Sequence, residues 1–328
     1  MIDYRKLNWD YNKISWIIAI EVAILMVIAS FFLPGGDDLY RFYRPFAEGC
    51  LDCGFTPYFA RWLLWPLTLI PLRLLWPFWS FVSISGFLII SRLTKVNPAI
   101  LLLSFPALGQ FWLGQIDVII CSGLVLALVS NNPYLRGLGI SLALVKPQLA
   151  GFAVLLLLIH QSRRNIMKVI LVPLTIFILS LLVFGITWPS AWLSNAKNDL
   201  PVHIWRSASR DIWPYGIFLM LTVFIFPHRR ARVEASLLIS GIATPFFSVY
   251  SYIVFLIFYA PWWSLPLSYA WFLMYPWWGN AAMRIAWILP GTLLGYLFYL
   301  EIKDQQKENS LRVDGVLLKK DEINIDQT

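Results

Sequence analysis

Charge is scarce in this sequence. Of 328 residues, 13% are Asp, Glu, Lys or Arg, against about 25% in a soluble domain. Hydrophobic residues make up 59% and the mean hydropathy is +0.67, so the chain reads as an all-α polytopic membrane protein. Apolar runs recur from residue 14 to residue 300 and leave no room for a separate soluble domain. Residues 1–301 read as a single transmembrane domain and residues 302–328 as a polar cytoplasmic tail. Histidine and cysteine are also few, three of each. There is no H-E-x-x-H zinc motif, no Walker phosphate loop and no nucleophile elbow. Cys50 and Cys53 form a C-x-x-C without a second pair, too few ligands for a structural zinc site. A local disulfide or two free thiols remain, and neither a metal nor a cofactor is expected. Acids are outnumbered by bases, for a net charge of +8. With no basic soluble module, that charge reports membrane topology and not a nucleic-acid partner.

What is present is a series of apolar segments broken by Pro, Gly and charge. Residues 14–33 read as the first transmembrane helix, with no small-residue cleavage site after it, hence retained and not a signal peptide. Residues 34–60 read as a loop. Residues 61–72, "RWLLWPLTLIPL", suit an interfacial helix. Several later segments are shorter than the roughly 20 residues of a straight span. Residues 136–160 lie between Arg136 and the cluster Arg163, Arg164 and Lys168, so the chain enters and returns, turning near Lys146-Pro147. Such a broken pair is tolerated where it is buried in protein or lines a wet cavity, and it points to a site within the membrane. Most Lys and Arg fall near the N-terminus, at 92–95, 136, 163–168 and 229–232, and in the tail. This bias predicts cytoplasmic termini and an even number of crossings among about twelve segments; the expected location is a bacterial plasma membrane. It puts the first loop, 34–60, and a second loop, 187–211, on the outer face. Seventeen Trp suit interfacial belts, with sugar or isoprenoid contact as the alternative.

A few polar residues stand out. Asp37 and Asp38 follow the first helix; one carboxylate there can take a proton from an attacking hydroxyl, or both can cap the next helix. Gln115 and Asp117 open an apolar helix, where Asp117 is either a dipole-stabilising first-turn acid or a functional acid near membrane depth. Lys146 stands alone as a lysine within an apolar run. It either snorkels to an interface or meets an anion such as a phosphate. Met at 146 keeps length and removes charge, so the sequence predicts loss of that anion with the fold intact.

These pieces resemble a known family. "GQIDVIICSGLVLAL", a basic turn and "RGLGISLALVKPQLAGFAVLLLL" are similar to the Gly-Gln-x-Asn and Gly-x-x-x-x-x-x-Lys-Pro region of polyprenol-phosphate-mannose-dependent alpha-mannosyltransferases, which are GT-C-type membrane glycosyltransferases. The first loop, with Asp37-Asp38, Tyr40, Tyr43, Gly49 and Pro57-Tyr58, fits the same pattern, and the resemblance spans roughly residues 34–160. Asp117 stands where the family has Asn. The later segment "ATPFFSVYSY" has no His where the family carries Ser-Pro with a His nearby. The resemblance implies a GT-C-like bundle of about twelve transmembrane or re-entrant helices with an outer-face first loop. It implies transfer of a mannose-like sugar from a polyprenyl-phosphate donor to a lipid or glycan acceptor. Asp38, or Asp37, would be the general base. Lys146 with Arg41, Arg44 or Arg206 would hold the donor phosphate. Gln115, Asp117, Tyr40, Tyr43 and Gln148 would line the pocket. A transporter or lipid carrier is one alternative, and an inactive scaffold within a protein complex is another.

Overall fold

The computed structural model describes the backbone of residues 4–313 apart from 55, 208 and 246. Among the described residues the chain is helical, without strands. The helices that build the argument are α1 (Tyr4–Ala29), α2 (Leu72–Thr94), α3 (Phe105–Leu113), α4 (Asp117–Val129), α5 (Pro133–Ala143), α6 (Pro147–Ile159), α7 (Arg163–Phe184), α8 (Trp188–Arg206), α9 (Arg229–Ala243) and α10 (Ile288–Val313). Among the described residues four stretches are long and apolar enough to cross a membrane: Asn12–Ala29, Leu72–Thr94, Arg163–Phe184 and Ser264–Gln306. α4 and α6, at 13 residues each, fall short of the roughly 20 a straight span needs.

Local sequence explains the boundaries. Asn132 caps α5 by accepting from the Tyr134 amide (2.9 Å), and Pro133 opens the helix where its missing N–H costs nothing. Ser162 caps α7 through the Asn165 amide. Gly114 ends α3 at φ +69, the left-handed geometry that glycine adopts without a Cβ penalty. The spans differ in role. Over half of the α2 window is buried (56%), against 17% for α1 and 11% for α7. α2 is therefore central, and α1 and α7 turn apolar faces such as Ile17, Leu25, Leu182 and Val183 outward.

Three readings of the sequence change here. Residues 187–211, read as a loop, are largely the helix α8; Pro189 sits in its first turn, which proline suits, and Pro201 is carried inside. The 34–60 loop contains a π-helical turn at Leu39–Tyr43 and a short helix at Arg44–Glu48. The first part of the polar tail continues α10 as far as Val313, and residues 314–328 lie outside the described residues.

One contact places the site. α4 and α5 form a hairpin whose backbones touch at two glycines. A Cβ on Gly123 would lie 2.5 Å from the Gly139 carbonyl oxygen, and one on Gly139 would lie 2.6 Å from that of Gly123. Small residues are what let helices approach so closely. The hairpin returns the chain to its starting level, so Lys146, just after α5, comes back to Asp117, the first residue of α4. Gly123→Val is expected to force the arms apart and cost roughly 1–3 kcal/mol or more, read as loss of monodisperse protein in detergent. Gly151→Ala is the matched control, since a Cβ there meets nothing within 4 Å.

Candidate active site

The first loop is pinned to the end of α3 by backbone and indole contacts. The Gly36 amide donates to the Trp112 carbonyl (2.7 Å), and Trp76 Nε1 donates to that of Phe111 (2.9 Å). Gly36 sits at φ +75 with the Trp76 ring packed against it; a Cβ there would come within 2.9 Å of the indole. This docking turns the two adjacent acids in different directions. Asp37 forms an ion pair with Arg41 (2.8 Å) on the surface, with side chains 49% and 71% exposed. Asp38 faces inward, makes no capping bond and accepts a hydrogen bond from Gln115 Nε2.

Gln115 is the hub. Its Oε1 accepts from the Tyr43 hydroxyl and from Lys146 Nζ, both at 2.7 Å, and its carbonyl accepts from Trp79 Nε1 (2.9 Å). Lys146 Nζ also pairs with Asp117, which is fully buried. Asp117 Oδ2 accepts from Gln110 Nε2 (2.7 Å), which also reaches the Tyr250 carbonyl (3.1 Å). The Tyr43 and Tyr250 rings lie 5.7 and 5.9 Å from the ammonium, within cation–π range. One connected network therefore runs from half-buried Asp38 through Gln115 and Lys146 to buried Asp117.

The electrostatics follow from this layout. Two carboxylates flank one ammonium, and the fully buried one takes the direct ion pair. Burial raises the pKa of Asp38 above its ordinary value, Lys146 opposes the shift and Asp37 adds to it. Burial, with Asp117 and Asp38 close by, pushes the Tyr43 phenol well up, so it stays a neutral donor to Gln115. A carboxylate of raised basicity, half-open to the surroundings and backed by a cation, can accept a proton from a hydroxyl.

The structure brings together Asp38, Tyr43, Gln115, Asp117 and Lys146. It gives the other proposed residues different surroundings. Arg44 donates to the carbonyls of Leu67 (2.6 Å), Thr68 (3.0 Å) and Ile70 (2.8 Å) and pairs with Glu48 (2.5 Å). These bonds take up four of the five N–H groups of its guanidinium, which fastens the first loop to the 65–70 turn. Arg41 is held at the surface by Asp37, and the Tyr40 hydroxyl donates to the Leu72 carbonyl (3.0 Å). Gln148 lies in the first turn of α6, next to Lys146, with its Oε1 buried. Arg206 ends α8, and its side chain lies outside the described residues.

Sequence reasoning missed Gln110, Trp79 and Tyr250. Gln110 carried a signal: it is a polar residue within an apolar helix, and Gly109-Gln110 repeats the Gly114-Gln115 pair five residues on. Tyr250 belongs to "ATPFFSVYSY", the segment in which the resemblance looks for a histidine. Cys50 and Cys53, left open by the sequence, are disulfide-linked, and Cys121 is buried. Asp52, between the two cysteines, accepts from the Tyr58 hydroxyl (3.0 Å) and from Asn195 Nδ2 (2.9 Å), joining the first loop to α8.

Among the described residues the chain is helical, with spanning helices and a half-buried carboxylate wired to a buried lysine, and this defines a membrane-embedded protein with a polar cluster built into its helices. The comparison with known families makes this specific. The model of glycosyltransferase family 87 matches residues 55–300, three quarters of the chain, and the protein belongs to that family. It is a membrane glycosyltransferase of the GT-C type. Gln110, Gln115, Asp117, Lys146 and Tyr250 lie within the matched span, and Asp38 precedes it. No curated protein and no solved structure shows a significant match to the chain.

Proposed function

We propose that this protein transfers a mannose-like sugar from a polyprenyl-phosphate donor to a lipid or glycan hydroxyl on the outer face of the membrane. The bundle would comprise about twelve crossing or re-entrant segments, with both termini in the cytoplasm. Asp38 is the general base. It takes the proton as the acceptor oxygen attacks the anomeric carbon. The bond from that carbon to the phosphate oxygen breaks, and polyprenyl phosphate leaves with the electron pair. The observation that carries this reading is the direct hydrogen bond from Gln115 to Asp38, with Lys146 on the other side of the same amide. Base and cation share one fixed amide, so proton removal and charge stabilisation are set in register. Lys146 has three N–H donors, of which Gln115 and Asp117 take two. The third is available to the leaving phosphate, with Arg206 as a second cation. The Tyr43 and Tyr250 rings border the same ammonium, and Gln148 follows two residues after Lys146 as a further pocket residue.

The test is release of polyprenyl phosphate from a polyprenyl-phosphate-mannose donor by purified protein supplied with lipid acceptors. Its pH profile is also expected to have a definite shape. Asp38 acts only when ionised, so the rate falls as pH drops through its pKa, which lies above the ordinary carboxylate value. Asp37 contributes to that elevation, so Asp37→Asn moves the acid limb to lower pH. A limb that stays fixed in Asp37→Asn removes Asp38 as its source. Failure to turn over any lipid-linked sugar removes the donor class.

A further inference from the structure

The far end of α6 gathers a second set of charges. The helix spans 13 residues, so its two ends lie about 20 Å apart at 1.5 Å per residue. Lys146 marks one end; His160 and Gln161 follow the other. Arg136, near the start of α5, donates from Nε to the Ser130 carbonyl (2.6 Å) and from Nη1 to Gln161 Oε1 (3.0 Å). Arg232, in the first turn of α9, donates from Nε to the Phe226 carbonyl (2.6 Å), and its Nη1 lies 3.0 Å from His160 Nε2. His160 Nδ1 lies 2.6 Å from the Leu156 carbonyl. A carbonyl can only accept and a guanidinium can only donate, so the two contacts suit the His160 tautomer that carries its hydrogen on Nδ1.

The third guanidinium is Arg229. Its Nε and Nη2 are buried and have no hydrogen-bond partner among the described residues. Burial, and then the nearby Arg136 charge, lower its pKa. The neighbouring acids are engaged elsewhere: Glu234 pairs with Arg230 (2.7 Å) and Glu301 with His228 (2.8 Å). Among the described residues no carboxylate pairs with Arg136, Arg229 or Arg232. A basic residue that only marks topology keeps its charge in water; the buried N–H groups of Arg229 do not have that option. A guanidinium sheds no proton in a protein, and burying it without an anion is costly. Its natural complement is a phosphate, which takes paired N–H donors. Close to these residues in the sequence are exposed large side chains: Tyr134, Leu135, Ile159, Phe224 and Ile225. They would accommodate acyl chains and have nothing to offer a free ion.

We propose that Arg136, Arg229 and Arg232 form a binding site for the phosphate of an anionic membrane phospholipid, in the leaflet opposite the Asp38–Lys146 cluster. The phosphate oxygens lie between Arg229 and Arg136, and the acyl chains run along Tyr134, Leu135 and Ile159. The site is separate from the transfer centre and does not depend on the sugar donor.

Thermal unfolding of the purified protein in neutral detergent tests it, with phosphatidylglycerol, phosphatidylcholine and inorganic phosphate titrated in turn. Phosphatidylglycerol is expected to raise the midpoint saturably, and the other two are not. Arg229→Gln removes a half-buried charge that lies near Arg136, so without lipid it unfolds at or above the wild-type midpoint. Its affinity for phosphatidylglycerol falls by about tenfold to a hundredfold, the loss of one charge-assisted hydrogen-bond set. Arg136→Gln gives the same reading should Arg229→Gln fold poorly. Arg164→Gln, at an exposed position, keeps the wild-type response. A phosphatidylglycerol shift in both cluster variants as large as that of wild type overturns the site. A phosphate response matching that of the lipid overturns the lipid assignment, as does the absence of any phosphatidylglycerol shift in the wild type.

Discussion

Asp38→Asn is expected to lower sugar transfer by about 10²- to 10⁴-fold, the usual contribution of a positioned general base, while Asp37→Asn keeps most of the wild-type rate near neutral pH. The two acids are neighbours in sequence, so residue type alone does not separate them. Geometry does. Asp37 is tied at the surface to Arg41, whereas Asp38 accepts from the buried amide of Gln115. Asparagine keeps an oxygen for that hydrogen bond, so the loop and the network survive and only basicity is lost. Folding is not a confounding factor either, because the substitution removes one of two negative charges that flank a single lysine. Single-turnover transfer with pre-bound donor separates the chemical step from binding. Unchanged donor affinity with a collapsed rate assigns the base. Full activity in Asp38→Asn would return both acids to the status of a loop cap and leave the base to be sought elsewhere.

Much of the architecture was legible because a bilayer leaves few choices. Apolar runs of 18 residues or more announce helices, and the broken segment around Lys146-Pro147 announced a turn within a short pair. Partners were harder to read. Lys146 was singled out as a cation in an apolar run, and the sequence reading supplied it with a phosphate. Its anion in the structure is Asp117, 29 residues earlier. The relation was encoded in the hairpin: arms of 13 and 11 residues that touch at Gly123 and Gly139 must bring their open ends together. Reading it would have required counting both arms at once, and pattern reading takes one segment at a time. The partners of Arg44 were hidden for a different reason. A guanidinium in a loop looks like an anion ligand, and only the structure reveals three carbonyls gathered around it. Residues 188–206 look polar and Pro-broken, yet they form a helix whose Trp188 packs on Tyr58 with ring centroids 5.4 Å apart. Tertiary packing there outweighs local pattern.

The same hairpin changes what Lys146→Met should do. From sequence, methionine at 146 keeps length and packing, so the fold was expected to survive. In the structure the loss of the ammonium would strand the Asp117 carboxylate at zero exposure, with Gln110 as its remaining side-chain donor. Removing one partner of a buried pair typically costs roughly 3–5 kcal/mol. Lys146→Met is therefore expected to unfold at markedly lower temperature or denaturant than wild type. The double variant Lys146→Met/Asp117→Asn removes both charges and leaves an amide that Gln110 can still reach. It is expected to recover most of the lost stability, so the cycle shows a large favourable coupling between residues 117 and 146. Activity should not follow stability back. If the third N–H of Lys146 steadies the leaving phosphate, the refolded double variant still transfers no sugar, and the pair has two separable jobs. A single variant as stable as wild type would show that the charges are not energetically paired. A double variant that is both stable and active would confine Lys146 to holding the hairpin closed, and the phosphate would need another cation, with Arg206 the first to examine.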